Sequence, residues 1–211
     1  MTISDRKKRE KKHRHQAILK SAKKLISKLG CEDMSMNQLA EATELNKATL
    51  YLYFSSKDDL IDAIVYEGLQ ILDTRLQEEE GRPASPLDRV LNQVAVIFSF
   101  YRENPVYFHT FNHQERRQVN VRAETPYSLE GNALAVKIFD RTAKAVESGI
   151  EQGAVRKEVD VKTFLILMYA YIYGVMHTIY SKADVYEDVL ALDADFIEKS
   201  ALDFIRHYLE K

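Results

Sequence analysis

The residues best suited to chemistry lie between Ser35 and Leu60, in the run SMNQLAEATELNKATLYLYFSSKDDL. Ser35 and Gln38 have the spacing of a capping box, so a short helix is expected to start there with Leu39 turned inward. The apolar pattern breaks after Thr43. Leu45 then supplies a buried turn residue, and Asn46 caps a second helix over 47–53 that buries Leu50 and Phe54. The opposite side of that helix carries Lys47, Thr49 and Tyr51. Two short helices joined by a tight turn, the second presenting hydrogen-bond donors, have the geometry that enters a major groove.

Other constellations are weaker. His109 and His113 stand four apart with Glu115 nearby, which can set two imidazoles on one helical face. No glutamate follows the first histidine as in the zinc-protease pattern, and no cysteine cluster completes a site, so no metal and no cofactor are expected. A glycine-rich phosphate loop, a nucleophile elbow and a paired-carboxylate arrangement are all missing from the sequence, which argues against an enzyme.

The elements that must position these residues read as helices. Three of the four prolines follow a capping residue, in Ser85-Pro86, Asn104-Pro105 and Thr125-Pro126, and each pair marks a helix start. Gly30, Gly81 and Gly153 mark stops. Apolar stripes run through Ile18, Ala22, Leu25, Ile26 and Leu29, and through Leu60, Ile64, Leu69, Leu72 and Leu76. The last two helices are expected over 161–182 and 193–210, separated by a charged turn around 183–187. The reading is all-α, about nine helices with no strand. It comprises a three-helix domain over 1–56 that holds the helix-turn-helix and a helical domain over 57–211.

Charge is divided unevenly. Between Met1 and Gly30 eleven basic residues face only Asp5 and Glu10, in a chain whose net charge is -2. The run Arg6 to Arg14 is expected to be a flexible arm ahead of the first helix, tracking phosphates or entering the minor groove. A solubilising tail, or a basic helix docked on an anionic membrane, would explain the charge equally well but has no use for the Ser35–Leu60 segment. The lone Cys31 and the charged start suggest the cytoplasm. Thr163 to Ser181 contains no Lys, Arg, Asp or Glu, yet Tyr169, Tyr171, Tyr173, Tyr180 and His177 interrupt it. It reads as a helix buried on nearly all sides, as in a bundle core or subunit interface, rather than a membrane span.

The run Lys47-Ala48-Thr49-Leu50-Tyr51-Leu52-Tyr53-Phe54, followed by Ser56-Lys57-Asp58-Asp59-Leu60, resembles the signature of the TetR family of repressors. The resemblance covers most of the first sixty residues and implies a homodimer that binds a palindromic double-stranded DNA operator. It makes Asn37 and Lys47 candidates for base edges, sets Thr49 near the groove wall, and gives phosphates to Ser35, Tyr51, Tyr53 and Lys57. Glu44 stands where a turn glycine is common. The resemblance also implies repression relieved by a small, largely apolar effector in a cavity of the helical half. Tyr101, His109, Tyr169, Tyr173 and His177, with apolar bodies and polar tips, are the expected lining. The dimer face is expected on Phe164, Leu167, Tyr171, Val175, Ile179, Phe196, Ile197, Leu202 and Ile205, with Gly174 permitting close approach. A DNA-binding protein with a filled core and no effector is the alternative.

Overall fold

A computed structural model describes residues 3–118 and 125–210. Among them the chain forms α1 (Ile3–Asp33), α2 (Met36–Ala42), α3 (Lys47–Tyr51), α4 (Lys57–Glu80), α5 (Pro86–Glu103), α6 (Pro105–Gln118), α7 (Pro126–Glu151), α8 (Val161–Leu190) and α9 (Ala194–Leu209). The fold is all-α, as expected. Pro86, Pro105 and Pro126 each open a helix, since a residue with a preset φ and no N–H loses nothing in the first turn. Gly30 leaves helical geometry at φ 85°, with open space where a Cβ would stand, so backbone conformation rather than packing calls for glycine there.

The chain divides into two compact units. One contains the residues up to Gln70 together with Glu103–Ala133; the other contains Ile71–Arg102 and Leu134–Lys211. This division does not follow residue 56. The first unit keeps the opening of α4 and all described residues of α6, because Tyr107 and Phe108 of α6 are buried with Ile18, Ala22 and Ile26 of α1 and Leu60, Ile61 and Ile64 of α4. α4 and α6 approach so closely that a Cβ on Gly68 would come within 2.9 Å of the Tyr107 ring. Leu25, Leu29 and Leu45 are half-buried at the rim of this core.

The second unit buries Val90, Leu91, Val94 and Phe98 of α5 and one stripe of α8, Phe164, Met168, Ile172, Met176 and Ile179. α9 lies along α8, with Tyr171 stacked on Phe204 at 5.0 Å and Phe164 on Tyr208 at 5.8 Å. Arg102 joins α5 to α9, its Nη1 donating to Asp195 at 2.9 Å and to Glu198 at 2.7 Å.

Four expectations are corrected. The Arg6–Arg14 run is helical, not an arm preceding the helix: Lys, Arg and Glu are good helix formers, and Arg6 pairs with Glu10 one turn on at 2.9 Å. α8 runs through 183–187 to Leu190, because that stretch is charged but holds neither Gly nor Pro; the break falls at Ala191, φ 54°. α3 ends at Tyr51, two residues early. α8 is not buried on nearly all sides within its own chain, so it is not the core of a single-chain bundle. Val161–Tyr180 is long and apolar enough to cross a membrane, but only 28% of its apolar window is buried, and Ile166 and Leu167 are 65% and 56% exposed. A helix packed within a single chain buries one stripe and leaves the other faces open.

Candidate nucleic-acid interface

Two capped helices and a strained turn build the site. Ser35 accepts from the backbone N–H of Gln38 at 3.3 Å, while Gln38 Oε1 accepts the Ser35 backbone N–H at 2.8 Å, the reciprocal box that starts α2. Thr43 closes α2 with its hydroxyl on the Leu39 carbonyl at 2.7 Å. Glu44 then adopts φ 54°, the left-handed conformation that a turn glycine would take more easily. Asn46 Oδ1 accepts the Thr49 N–H at 2.7 Å and starts α3.

Burial fixes how this pair is presented. Leu39, Leu50 and Phe54 have no exposed surface, so their anchoring sets the orientation of α3. Asn37, Lys47 and Ala48 are exposed and Tyr51 is 41% exposed, while Ser35, Thr49, Tyr53 and Lys57 are half-buried. Tyr51 is therefore a surface residue rather than core. Two of the expected phosphate ligands already have work inside the chain. The Ser35 hydroxyl donates to Gln38 Oε1 at 2.8 Å, and Lys57 Nζ donates to the Glu32 carbonyl at 2.7 Å, leaving the ammonium two further N–H groups. Ser56 caps α4 through the Asp59 N–H at 3.0 Å, and Asp59 returns by accepting from the Ser55 N–H at 2.8 Å.

Behind α3 lies a set of polar contacts that sequence reasoning missed. His15 of α1 sits 4.9 Å from the Phe54 ring and shares a 2.8 Å hydrogen bond with the Tyr127 hydroxyl at the start of α7. Burial lowers the His15 pKa, with Glu67 and Asp59 opposing and Lys11 assisting. Asp62, with no exposed surface, accepts from Gln114 at 2.9 Å, Arg117 at 2.6 Å and the Thr125 hydroxyl at 2.8 Å. Lys23 is bound by Glu67 and, at 2.9 Å, by the Tyr107 hydroxyl; although burial works against its charge, these partners hold its pKa above the ordinary value. Each partner is more than a helix away in sequence, so no local pattern signals it.

The expected effector-lining residues are only partly assembled. Tyr169, Tyr173 and His177 form a column on α8, with centroids 6.4 and 6.2 Å apart, and Phe139 of α7 joins it at 5.8 Å from Tyr169. Tyr101 is buried beside Phe100. His109 belongs to the other compact unit and is exposed, its backbone carbonyl facing the Cys31 thiol at 3.6 Å. His113 contacts Glu32 at 3.1 Å. Among the described residues no group of three or more His, Cys, Asp or Glu side chains gathers as metal ligands would. Of the expected dimer face, Phe164, Ile179 and Ile205 are buried within the chain, whereas Leu167 and Phe196 are exposed; Phe204, 60% exposed, was not anticipated.

Residues 18–64 match the family model of bacterial regulatory proteins of the tetR family. A nucleoid occlusion factor, SlmA of Mannheimia succiniciproducens, is 32% identical over 99 residues, covering 46% of each chain. The chain spans 44 to 46% of the length of the first curated relatives it matches. Among solved structures, the TetR-family regulator PfmR from Thermus thermophilus superposes with a TM-score of 0.70 at 23% identity, over 92% of this chain and 99% of that one. A transcriptional regulator from Saccharomonospora viridis, solved with choline, gives 0.75 at 18% identity, over 93% and 97%. At these identities the structural likeness speaks for the fold.

Proposed function

We propose that this chain, whose residues 18–64 match the family model of bacterial regulatory proteins of the tetR family, is a homodimeric, effector-responsive repressor of that family acting in the cytoplasm. The observation that carries the proposal is the capped α2–α3 pair, whose buried Leu39, Leu50 and Phe54 leave Asn37 and Lys47 outward for base edges. Thr49 lines the groove wall. Tyr51, Tyr53, Lys57 and Ser35 take phosphates, the last two with the donors or lone pairs their internal bonds leave free.

Two copies associate through α8 and α9, where exposed Leu167, Phe196 and Phe204 offer apolar surface that a second chain would cover. Symmetry then asks for an inverted repeat in the DNA, with half-sites about 34 to 36 Å apart. Release needs an effector that prefers the mis-spaced arrangement of the reading helices. The column Tyr169, Tyr173 and His177 is the surface offered to it in the second unit, with Tyr101 as a further contact. His109, in the first unit, is assigned no place in that column.

The test is a mobility-shift comparison on duplexes recovered from a random-sequence pool. Wild type should discriminate among them, and Lys47→Ala should relax that discrimination at one base position of each half-site. Equal retention of all duplexes by the wild-type protein would refute the proposal.

A further inference from the structure

The surface beside the reading helix carries a row of cations that form no ion pair among the described residues. Lys7, Lys11 and Arg14 follow the i, i+4, i+7 spacing of one helical face. At 1.5 Å per residue they make a row about 10 Å long. The row lines one wall of an open groove of about 450 Å³ whose other wall is Leu52 and Tyr53, just past the end of α3. Glu10 also reaches the groove, but its carboxylate is held by Arg6. Among the described residues, no carboxylate lies within ion-pair distance of Lys7, Lys11 or Arg14. Leu52, across from them, is 79% exposed and so open to a ligand lying in the groove.

We propose that this groove seats the sugar–phosphate backbone of duplex DNA outside the bases that α3 reads, with phosphates on the three cations and deoxyribose over Leu52. The inference rests on the DNA-reading function proposed above and extends its footprint. A helix presents its cations at fixed spacing, so less ordering entropy is lost on binding than with a free arm. Backbone contacts of this kind add affinity and salt dependence without adding sequence preference.

Salt titrations of the full chain against a random-sequence duplex pool test it, with circular dichroism confirming that each variant stays helical. The Lys7→Ala/Lys11→Ala/Arg14→Ala variant should flatten the log–log salt slope by about 0.9 per lost phosphate contact, up to about 2.7 for all three. Its ranking of duplexes should match wild type, and hydroxyl-radical protection should retract at the outer backbone positions. Should the triple variant misfold, Lys11→Glu alone must weaken binding to every duplex alike. An unchanged slope and footprint, with Lys47→Ala still losing sequence preference, would overturn the groove and leave the reading helix in place. Absence of any sequence preference in the wild type would overturn the underlying function instead.

Discussion

The ring of Phe54, just past α3, packs 4.9 Å from the His15 ring of α1, and His15 in turn shares a hydrogen bond with Tyr127 at the first turn of α7. The His15 ring thus links the end of the α2–α3 pair to α1 and to the start of α7. Phe54 has no exposed surface, so packing holds its ring, while its backbone N–H donates to the Leu50 carbonyl at 3.1 Å.

Phe54→Ala should cost about 3 to 5 kcal/mol, the range for deleting a large buried aromatic ring. Denaturant unfolding measures this, and DNA affinity should fall with it. A loss under about 1 kcal/mol would mean that the site collapses easily and that Phe54 does not anchor α3.

Stability should respond to His15 as pH falls. Its folded pKa lies below the ordinary 6.5, so the unfolded chain takes up the proton first. The stabilisation is complete above about pH 6.5 and is lost as pH drops toward the folded value. His109 is lowered by partial desolvation as well, but its exposed side chain makes its contribution in the same window the smaller one. Melting temperature should therefore decline between neutral and mildly acidic pH, and His15→Gln should flatten that decline. An identical profile in the variant would remove His15 from the explanation.

Asp62 is satisfied by three donors from α6 and the segment leading into α7. Asp62→Ala leaves the mostly buried Arg117 without its closest carboxylate, and breaking such a pair costs about 3 to 5 kcal/mol. Thermal unfolding would show it. A variant as stable as wild type would mean that Asp58, 2.8 Å from Arg117, takes over the charge.

How much of this was legible beforehand depends on the range of the signal. Capping is local, so Ser35 with Gln38, Asn46 and the three proline starts could be read from neighbouring residues, and the inward Leu39, Leu50 and Phe54 followed from the helical period. Glu44 shows the same locality: its identity warned of strain, and φ 54° realises it. Contacts such as His15 with Tyr127 or Asp62 with Thr125 join residues with no shared periodicity, and only the folded chain displays them. The charge at 183–187 misled because charged residues are as much at home in an exposed helix as in a turn.

Glu44→Gly should stabilise the protein by about 0.5 to 1 kcal/mol, the left-handed penalty relieved less the added chain entropy. Comparing denaturation midpoints checks it. Destabilisation of similar size would show that the exposed glutamate side chain makes a compensating contact.

Lys47→Ala should reduce discrimination at one base position of each half-site by about 1 to 3 kcal/mol, with little change in the salt slope. A uniform loss across all duplexes would reassign Lys47 to the phosphates.

Selection of bound duplexes from random DNA by the wild-type chain tests the central claim most directly. The account predicts enrichment of an inverted repeat whose half-site centres lie about 10 to 10.5 base pairs apart, or a multiple of that. Recovery of unenriched sequence, bound no better than any other polyanion, would contradict it.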